Sequence, residues 1–289
     1  MITSNPMQLK ALIKKKAEEK RISAQLVLQN YMMERLLERI SLSKYNQNFI
    51  LKGGFLIAAI VGLDTRTTMD MDATVKGFSL THESISSIFD EICSISIEDD
   101  VAFTVQRISK IREGDIYPCL RVRLMANYLP LAVPLAVDIT TGDKITPREV
   151  EYSFRLMFDE RSISIMAYNL ETIFAEKLET VLSRNIANTR LRDFYDIHIL
   201  YALRNSDCDM TILKQALEET TTRRGSRAVL EHYHDILANI QKNSQMRNFW
   251  ERYRKEYSYA SDIDFDDCCN TILLMLDNIT LQQHTQIDI

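Results

Sequence analysis

The sequence predicts an α+β protein, with a mixed β-sheet domain and its flanking helices over residues 1–165 and an all-helical domain over residues 166–289. Strand-like stretches, in which apolar and polar residues alternate, fall within the first 160 residues. From Asn169 onward, apolar residues instead recur at the spacing of helices. The chain has 7 glycines and 5 prolines in 289 residues, which is typical of long helices with few tight turns.

Two helices are predicted before the first strand. Residues 7–20 carry a mixed-charge helical pattern, and Ser23 is the expected N-cap of the next helix. In that second helix, four apolar residues recur at four-residue intervals: Leu28, Met32, Leu36 and Ile40. This stripe predicts one buried face.

Five stretches predict a mixed sheet of four or five strands. The first is the apolar run 49–51, which ends at Lys52, Gly53 and Gly54 and is followed by a helix-like segment over residues 55–61. Thr81 is the expected cap of a helix that runs to Ile95. The other predicted strands are residues 69–75, 101–111, 119–126 and 131–140.

The helical domain is predicted to begin after a boundary within residues 160–168. Leu170, Ile173, Phe174, Leu178 and Val181 follow helical spacing in its first helix. Further helices are predicted near residues 190–204, 209–222, 226–242, 245–257 and 264–279.

The charge balance argues against a protein that coats nucleic acid. The chain has 35 basic and 40 acidic residues and a net charge of -5, whereas such proteins are basic. Any RNA contact would therefore depend on a local basic patch. Two groups of arginines could form one, or could be ordinary solvated surface: Arg107, Arg121 and Arg123, and Arg223, Arg224 and Arg227.

The cysteines and the hydropathy pattern favour a cytoplasmic protein. The 5 cysteines are odd in number and form no CxxC pair, as expected in a reduced compartment. The polar, lysine-rich stretch up to Lys20 has no secretory signal. No stretch reaches the roughly 18–20 apolar residues of a membrane span, so we expect no membrane association.

The acidic pair Asp70 and Asp72 is the sharpest chemical feature. Residues two apart on a strand point to the same face, so the two carboxylates would lie side by side and repel each other without a cation. Hard oxygen ligands suit Mg²⁺ or Mn²⁺. Met69 and Met71 would point to the opposite, buried face. The alternative is that both acids are solvated at an exposed edge.

The glycine pair Gly53-Gly54 lies between a predicted strand and a predicted helix. Glycine allows a ligand to approach the backbone closely, and helix N-termini favour phosphate. A plain tight turn would explain an isolated pair equally well. The order of strand, glycine pair, helix and acidic strand, however, predicts a phosphate site beside a metal site.

A third carboxylate could come from Asp138, which lies in an otherwise apolar strand and therefore needs a partner or a role. Its neighbours could be Asp70 and Asp72, which would give three acids on two strands. Asp143, in the following loop, is the weaker candidate and is expected to be a turn residue.

Lys177, Asp193 and Asp196 are candidates in the helical half. Asp193 and Asp196 are three residues apart and can share a helix face. Asp193 could hold Lys177 while the lysine meets a phosphate. A structural salt bridge between two helices fits the spacing equally well.

Five segments in a fixed order resemble one known family. They are Phe49-Ile-Leu-Lys-Gly-Gly, Arg66-Thr-Thr-Met-Asp-Met-Asp, Val137-Asp-Ile-Thr-Thr-Gly-Asp, Ala175-Glu-Lys-Leu-Glu and Arg192-Asp-Phe-Tyr-Asp-Ile. Together they resemble the AbiEii/AbiGii-type nucleotidyltransferase toxins of bacterial abortive-infection and toxin–antitoxin systems, a branch of the DNA polymerase β-like nucleotidyltransferase superfamily. The resemblance covers residues from about 8 to 205.

The resemblance implies a nucleotidyltransferase-type sheet domain and roles for the matching positions. It implies that Asp70, Asp72 and Asp138 bind Mg²⁺ or Mn²⁺, and that Lys177 and Asp193 complete the catalytic set. The implied nucleotide-binding residues are Lys52, Gly53, Gly54, Arg66 and Thr68. The broader superfamily often has Gly-Ser at the position of Gly53-Gly54, so a serine contact to phosphate is absent from this chain.

The implied reaction transfers a nucleoside monophosphate from an NTP to an acceptor hydroxyl and releases pyrophosphate. The expected acceptor is RNA, in particular the 3′ end of tRNA, and the expected protein partner is a cognate antitoxin. Two alternatives stay open. One is transfer to a small molecule or to a protein hydroxyl, and the other is a catalytically silent binding module with the same fold.

Overall fold

A computed structural model describes residues 5–111 and 118–285. The chain divides into two compact units. The first extends as far as Asp143 and resumes over Glu149–Tyr168, and the second comprises Lys144–Arg148 together with the chain from Asn169 onward. The first unit contains a sheet with flanking helices and the second contains helices, which confirms the predicted α+β class.

The first unit is built on a seven-stranded mixed sheet in the order β3-β4-β5-β2-β1-β7-β6. Its parallel pairs are β1 with β7 and β2 with β5, and the other pairs are antiparallel. The strands are β1 Phe49–Lys52, β2 Met71–Val75, β3 Ala102–Lys110, β4 Cys119–Tyr128, β5 Leu131–Thr141, β6 Val150–Arg155 and β7 Ser162–Ala167. The last two strands form a hairpin that the sequence did not predict.

Four helices belong to this unit: α1 Pro6–Lys20, α2 Ala24–Leu42, α3 Gly53–Val61 and α4 His82–Ser94. Ser23 caps α2 as predicted, by accepting a hydrogen bond from the Leu26 amide, and Thr81 caps α4 through a capping box with Ser84. Both caps satisfy backbone donors that the first helical turn leaves unpaired.

Helix α2 is buried on nearly every side, whereas one buried face was expected. Leu36 is fully buried, but so is Arg35, which lies between the carboxylates of Glu34 and Glu38 at 2.6 Å from each. Arg39 binds Asp99 through two hydrogen bonds of 2.7 and 2.8 Å. The buried charges are tolerated because each has a charged partner within hydrogen-bond distance.

One face of the sheet is packed and the other is partly open. In β2 and β5, alternate residues such as Met71 and Val137 are buried against α2 around Leu37 and Ile40. The residues between them point to the opposite face, as the two-residue strand period requires, and Asp72 and Asp138 are only half-buried there. This open face carries the predicted acids.

The second unit contains α5 Leu170–Arg184, α6 Leu191–Arg204, α7 Met210–Arg224, α8 Tyr233–Lys242, α9 Ser244–Glu256 and α10 Phe265–Thr285. Its core includes an aromatic group in which Trp250 stacks on Tyr253 with ring centroids 5.5 Å apart. The indole nitrogen of Trp250 donates to the Ile263 carbonyl, which satisfies the one polar atom of that side chain. Across residues 5–111 and 118–285, no helix has the length and apolar character that spanning a membrane requires.

Candidate active site

Four charged residues form a row across four neighbouring strands of the first unit. Lys52 of β1 is paired with Asp72 of β2, Asp72 with Asp138 of β5, and Asp138 with Arg121 of β4. Directly paired residues project to the same face of a sheet. The register therefore places two acids side by side on the open face, with a basic residue at each end of the row.

Arg121 is bound to the acids of this row. Its Nε and Nη2 donate to the two carboxylate oxygens of Asp138 at 2.6 and 2.7 Å, and its Nη2 lies 4.0 Å from Asp70 Oδ2. The hydrogen bonds to Asp138 raise the pKa of Arg121 above its ordinary value, although desolvation works against this. Such a two-pronged contact uses both oxygens of Asp138.

The three carboxylates expected to meet, those of Asp70, Asp72 and Asp138, do not form a metal-binding group of three. Among the described residues, no set of three or more His, Cys, Asp or Glu side chains is arranged to hold a metal ion. Instead, the guanidinium of Arg121 is hydrogen-bonded to Asp138 and lies 4.0 Å from Asp70. Arg121 was noted in the sequence only as one of several scattered arginines.

The segment that leads to the acids is held by α2. Strand β2 begins at Met71, two residues later than predicted, and Met69 is 45% exposed instead of buried. Gln29 donates to the Met69 carbonyl at 2.7 Å and Asn30 donates to the Thr68 carbonyl at 2.8 Å. These two buried amides fix the backbone before Asp70. Sequence reasoning missed both residues, because α2 also contains the polar residues Glu34, Arg35, Glu38 and Arg39.

The glycine pair is packed against the acidic strand and its preceding loop. Gly53 has a φ of +68°, and a Cβ at this position would lie 2.2 Å from Asp72 Oδ2. A Cβ at Gly54 would lie 3.0 Å from Thr68 Oγ1 and 3.3 Å from the guanidinium of buried Arg66. Glycine is therefore needed at Gly53 both for its backbone angle and for the close approach of Asp72.

Lys52 forms a partly buried ion pair with Asp143, which was expected to be a turn residue. Asp143 also accepts a hydrogen bond of 2.6 Å from Thr140, and the ammonium group of Lys52 lies 5.6 Å from the ring centre of Tyr168. Burial raises the pKa of Asp143, but the charge and hydrogen bond of Lys52, with the threonine hydroxyls, outweigh it and hold the pKa at about 2.

Lys177 lies within the second unit and contacts both candidate acids. Its Nζ donates to Asp193 Oδ1 at 2.8 Å and to Asp196 Oδ2 at 2.7 Å. Burial alone would lower the pKa of Lys177, but the two aspartates raise it above its ordinary value. The side chain of Asp193 is 10% exposed and that of Asp196 is fully buried, so Asp193 alone of the two reaches the surface.

Comparison with known proteins points to one family. A model of the family described as "Nucleotidyl transferase AbiEii toxin, Type IV TA system" matches residues 35–271. No curated protein matches the chain.

A solved structure shares the fold, and a second match is weaker. A crystal structure of a protein from H. pylori described as a nucleotidyltransferase matches with a TM-score of 0.50 and 14% identity, over 92% of this chain and 99% of that chain. JHP933 from Helicobacter pylori matches with a TM-score of 0.48 and 14% identity, over 91% of this chain and 97% of that chain.

Proposed function

Since the chain belongs to the AbiEii nucleotidyltransferase toxin family, we propose that it transfers a nucleoside monophosphate from an NTP to the 3′ hydroxyl of an RNA, with tRNA as the first candidate. The acceptor oxygen forms a bond to the α-phosphorus, and the bond from that phosphorus to the oxygen bridging the β-phosphate breaks. Pyrophosphate leaves with the electron pair, and the proton of the hydroxyl passes to solvent.

The observation that carries this proposal is the position of Asp72. The register sets Asp72 beside Asp138, and a Cβ on Gly53 would collide with the Asp72 carboxylate. Gly53 is also the first residue of α3, where backbone N–H groups have no partner within the helix. A helix start of the kind that favours phosphate is thus adjacent to two carboxylates, which supports transfer from a triphosphate at this place.

We propose that Asp70 and Asp72 hold a magnesium ion, with Mn²⁺ as a substitute. Carboxylate oxygens are the ligands that these cations prefer, so the chemistry of the side chains fits. Arg121 competes with a cation for Asp138, because both oxygens of Asp138 accept hydrogen bonds from Arg121. A bound cation would neutralise phosphate charge and lower the pKa of the attacking hydroxyl.

We propose that the triphosphate lies against Gly53 and Gly54, with Lys52, Arg66 and Thr68 around it. Lys52 directly precedes α3 and is the cross-strand partner of Asp72. The family resemblance also implies nucleotide contacts by Lys177 and Asp193. These two remain a separate proposal, because their observed contacts are with each other and with Asp196.

Two further proposals concern the partner of the protein and its location. Its description as a type IV toxin–antitoxin family supports a cognate antitoxin as a partner. A reduced, cytoplasmic location is consistent with the five free cysteines.

The proposed function is tested by incubating the protein with Mg²⁺, total bacterial tRNA and each of the four NTPs in turn, labelled at the α-phosphate. We expect label in the tRNA band of a denaturing gel for one or more NTPs, and none with Asp70→Asn. A matched control is Asp90→Asn, which removes an exposed carboxylate on α4. Label in protein or in a small molecule, but not in RNA, would contradict the RNA acceptor and leave nucleotidyl transfer intact.

A further inference from the structure

Two arginines face each other on the open side of the sheet, beyond the end of the charged row. Arg107 of β3 is the cross-strand partner of Arg123 of β4, and both side chains are exposed. Within residues 5–111 and 118–285, neither guanidinium takes part in a salt bridge. Arg121, two positions from Arg123 on the same strand face, is by contrast fully engaged with Asp138.

A β-bulge in β3 creates this arrangement. The register shifts between Val105 and Arg107, so that Val105 is paired with Leu124 and Arg107 with Arg123. Before the shift Phe103 points to the packed face, and after it Ile108 does. Without the extra residue, Arg107 would be paired with Val122 and would point into the core. The bulge therefore turns Arg107 onto the open face, opposite Arg123.

Two like charges directly opposite each other destabilise a sheet. Nevertheless, the β-bulge in β3 brings these two arginines opposite each other. Most other arginines described above have a carboxylate partner, including those buried in α2. An unpaired, opposed and exposed arginine pair is the arrangement that an external polyanion would stabilise, because phosphates would supply the missing negative charge.

The location of the pair relative to the acids decides which polyanion it fits. Along the sheet, Gly53 lies on the β1 side of Asp72, whereas Arg123 lies on the β4 side of Asp138. Neighbouring strands are about 4.8 Å apart, so Arg123 is displaced from β2 by two strands, or roughly 10 Å. A few nucleotides of a single strand cover that distance.

The geometry of transfer separates donor from acceptor. The attacking and leaving oxygens lie roughly in line at the phosphorus, so the acceptor approaches from the side opposite the departing pyrophosphate. If the triphosphate lies against Gly53, the acceptor reaches the acids from the β4 side. Arg107 and Arg123 lie on that side.

We propose that Arg107 and Arg123 form the docking surface for the phosphates of the acceptor RNA strand, immediately upstream of its reacting 3′ end. This inference rests on the proposed function for the position of the triphosphate and for RNA as acceptor. The surface contacts backbone phosphates and therefore binds RNA independently of its base sequence. It also explains how a chain with net charge -5 holds a polyanion.

The test measures binding of fluorescently labelled total tRNA by anisotropy, without NTP, over a range of salt concentrations. We expect Arg107→Gln combined with Arg123→Gln to weaken binding by about tenfold and to reduce the slope of log affinity against log salt by about 1.4, as for two contacts to a single strand. The control is Lys14→Gln combined with Lys15→Gln, which removes two exposed charges from α1 and should change affinity less than about twofold.

Two further readouts keep this test decisive. The thermal midpoint of the arginine variant should be unchanged or higher, because the substitution removes a like-charge contact. Its affinity for Mg²⁺-tripolyphosphate, which stands in for the NTP phosphates, should be unchanged. A loss of tripolyphosphate binding with intact tRNA binding would overturn the proposal by assigning the pair to the donor.

The outcomes also separate this proposal from the proposed function. Equal tRNA affinity and salt dependence in the wild type and the arginine variant would overturn the docking surface alone. Absence of tRNA binding by the wild type would overturn both the RNA acceptor and the surface built on it.

Discussion

The guanidinium of Arg121 holds both carboxylate oxygens of Asp138, at 2.6 and 2.7 Å. Arg121 is thus a cation fixed beside the acids to which we assign a divalent cation. Its Nη2 lies 4.0 Å from Asp70 as well. The guanidinium and a divalent cation would compete for the same carboxylates, so Arg121 should weaken the binding of a metal ion.

Removal of this competitor should tighten metal binding. We expect Arg121→Gln to bind Mn²⁺ about five- to tenfold more tightly than the wild type, since Asp138 becomes available and one positive charge is lost. Titration followed by electron paramagnetic resonance measures this without NTP. Arg161→Gln is the control, because it breaks contacts with Glu38 and Asp159 that lie elsewhere in the unit. Unchanged or weaker Mn²⁺ binding by Arg121→Gln would contradict the competition.

Gly53 and Gly225 form a matched pair for testing the close approach to Asp72. Their φ values are +68° and +66°, but a Cβ would meet Asp72 Oδ2 at 2.2 Å in the first case and nothing within 4 Å in the second. The left-handed backbone alone should cost alanine about 1–2 kcal/mol of folding free energy at either position.

Only Gly53→Ala should also displace Asp72, and a displacement of this kind reduces transfer by about 100-fold. Denaturant unfolding and initial rates of transfer measure the two effects. Equal losses of activity in both variants would show that backbone strain alone is responsible.

Asp143 should contribute to stability in a defined range of acid pH. Its pKa falls from an ordinary 3.8 to about 2 in the folded chain. A carboxyl with a lowered pKa adds stability that is complete above the unfolded value and is lost as the pH falls through the folded value. The difference corresponds to about 2 kcal/mol, lost between about pH 4 and pH 2.

Urea unfolding of the wild type and Asp143→Asn at several pH values checks this contribution. The free energies of unfolding should differ at pH 5 and converge towards pH 2, because Asp143 is by then protonated in the unfolded chain and about half protonated in the folded chain. Asp90→Asn, at an exposed position, should follow the wild type throughout. A difference that stays constant down to pH 2 would rule out the lowered pKa as its source.

Substitutions can decide whether Lys177 is a structural ion-pair residue or a nucleotide-binding residue. Lys177→Met leaves Asp193 and Asp196 without their shared cation, and we expect a loss of about 3–5 kcal/mol of stability. Adding Asp193→Asn and Asp196→Asn should restore part of it, because the uncompensated charges are removed.

The family resemblance predicts that NTP binding stays weak in this triple variant even when it is folded. Calorimetric titration with the NTP that the wild type uses measures the NTP affinity of the triple variant, at a temperature below its melting temperature. Recovery of NTP binding together with stability would show that Lys177 acts only as a structural ion-pair residue.

Local sequence patterns predicted the helices and the strands β1 to β5 of the first unit, but the register of those strands depends on long-range pairing. The alternation around Asp70 and Asp72 and the glycine pair after β1 are local features. The glycine pair lies where the sequence placed it and Asp72 lies on β2, whereas Asp70 precedes that strand. The alignment of Lys52, Asp72 and Asp138 arises because β2 lies between β1 and β5. No pattern within one segment specifies which strands become neighbours.

The residues that sequence reasoning undervalued owe their roles to distant partners. Asp143 reads as a loop residue, and its burial follows from Lys52, 91 positions earlier. In the sequence, nothing distinguishes Arg121 from other basic strand residues. Its contact with Asp138 follows only from the pairing of β4 with β5. The hairpin of β6 and β7 was missed because its apolar signal is short: β6 is an edge strand in which only Phe154 is buried, and β7 has six residues.

The most direct test of nucleotidyl transfer at this site compares one NTP labelled at its α-phosphate with the same NTP labelled at its γ-phosphate. The NTP is the one that the gel experiment identifies, with Mg²⁺ and tRNA present. We predict α-label in the RNA and γ-label only in pyrophosphate, with both signals lost in Asp72→Asn and retained in Asp90→Asn. Transfer of γ-label to the RNA, or full α-label transfer by Asp72→Asn, would contradict nucleotidyl transfer by these carboxylates.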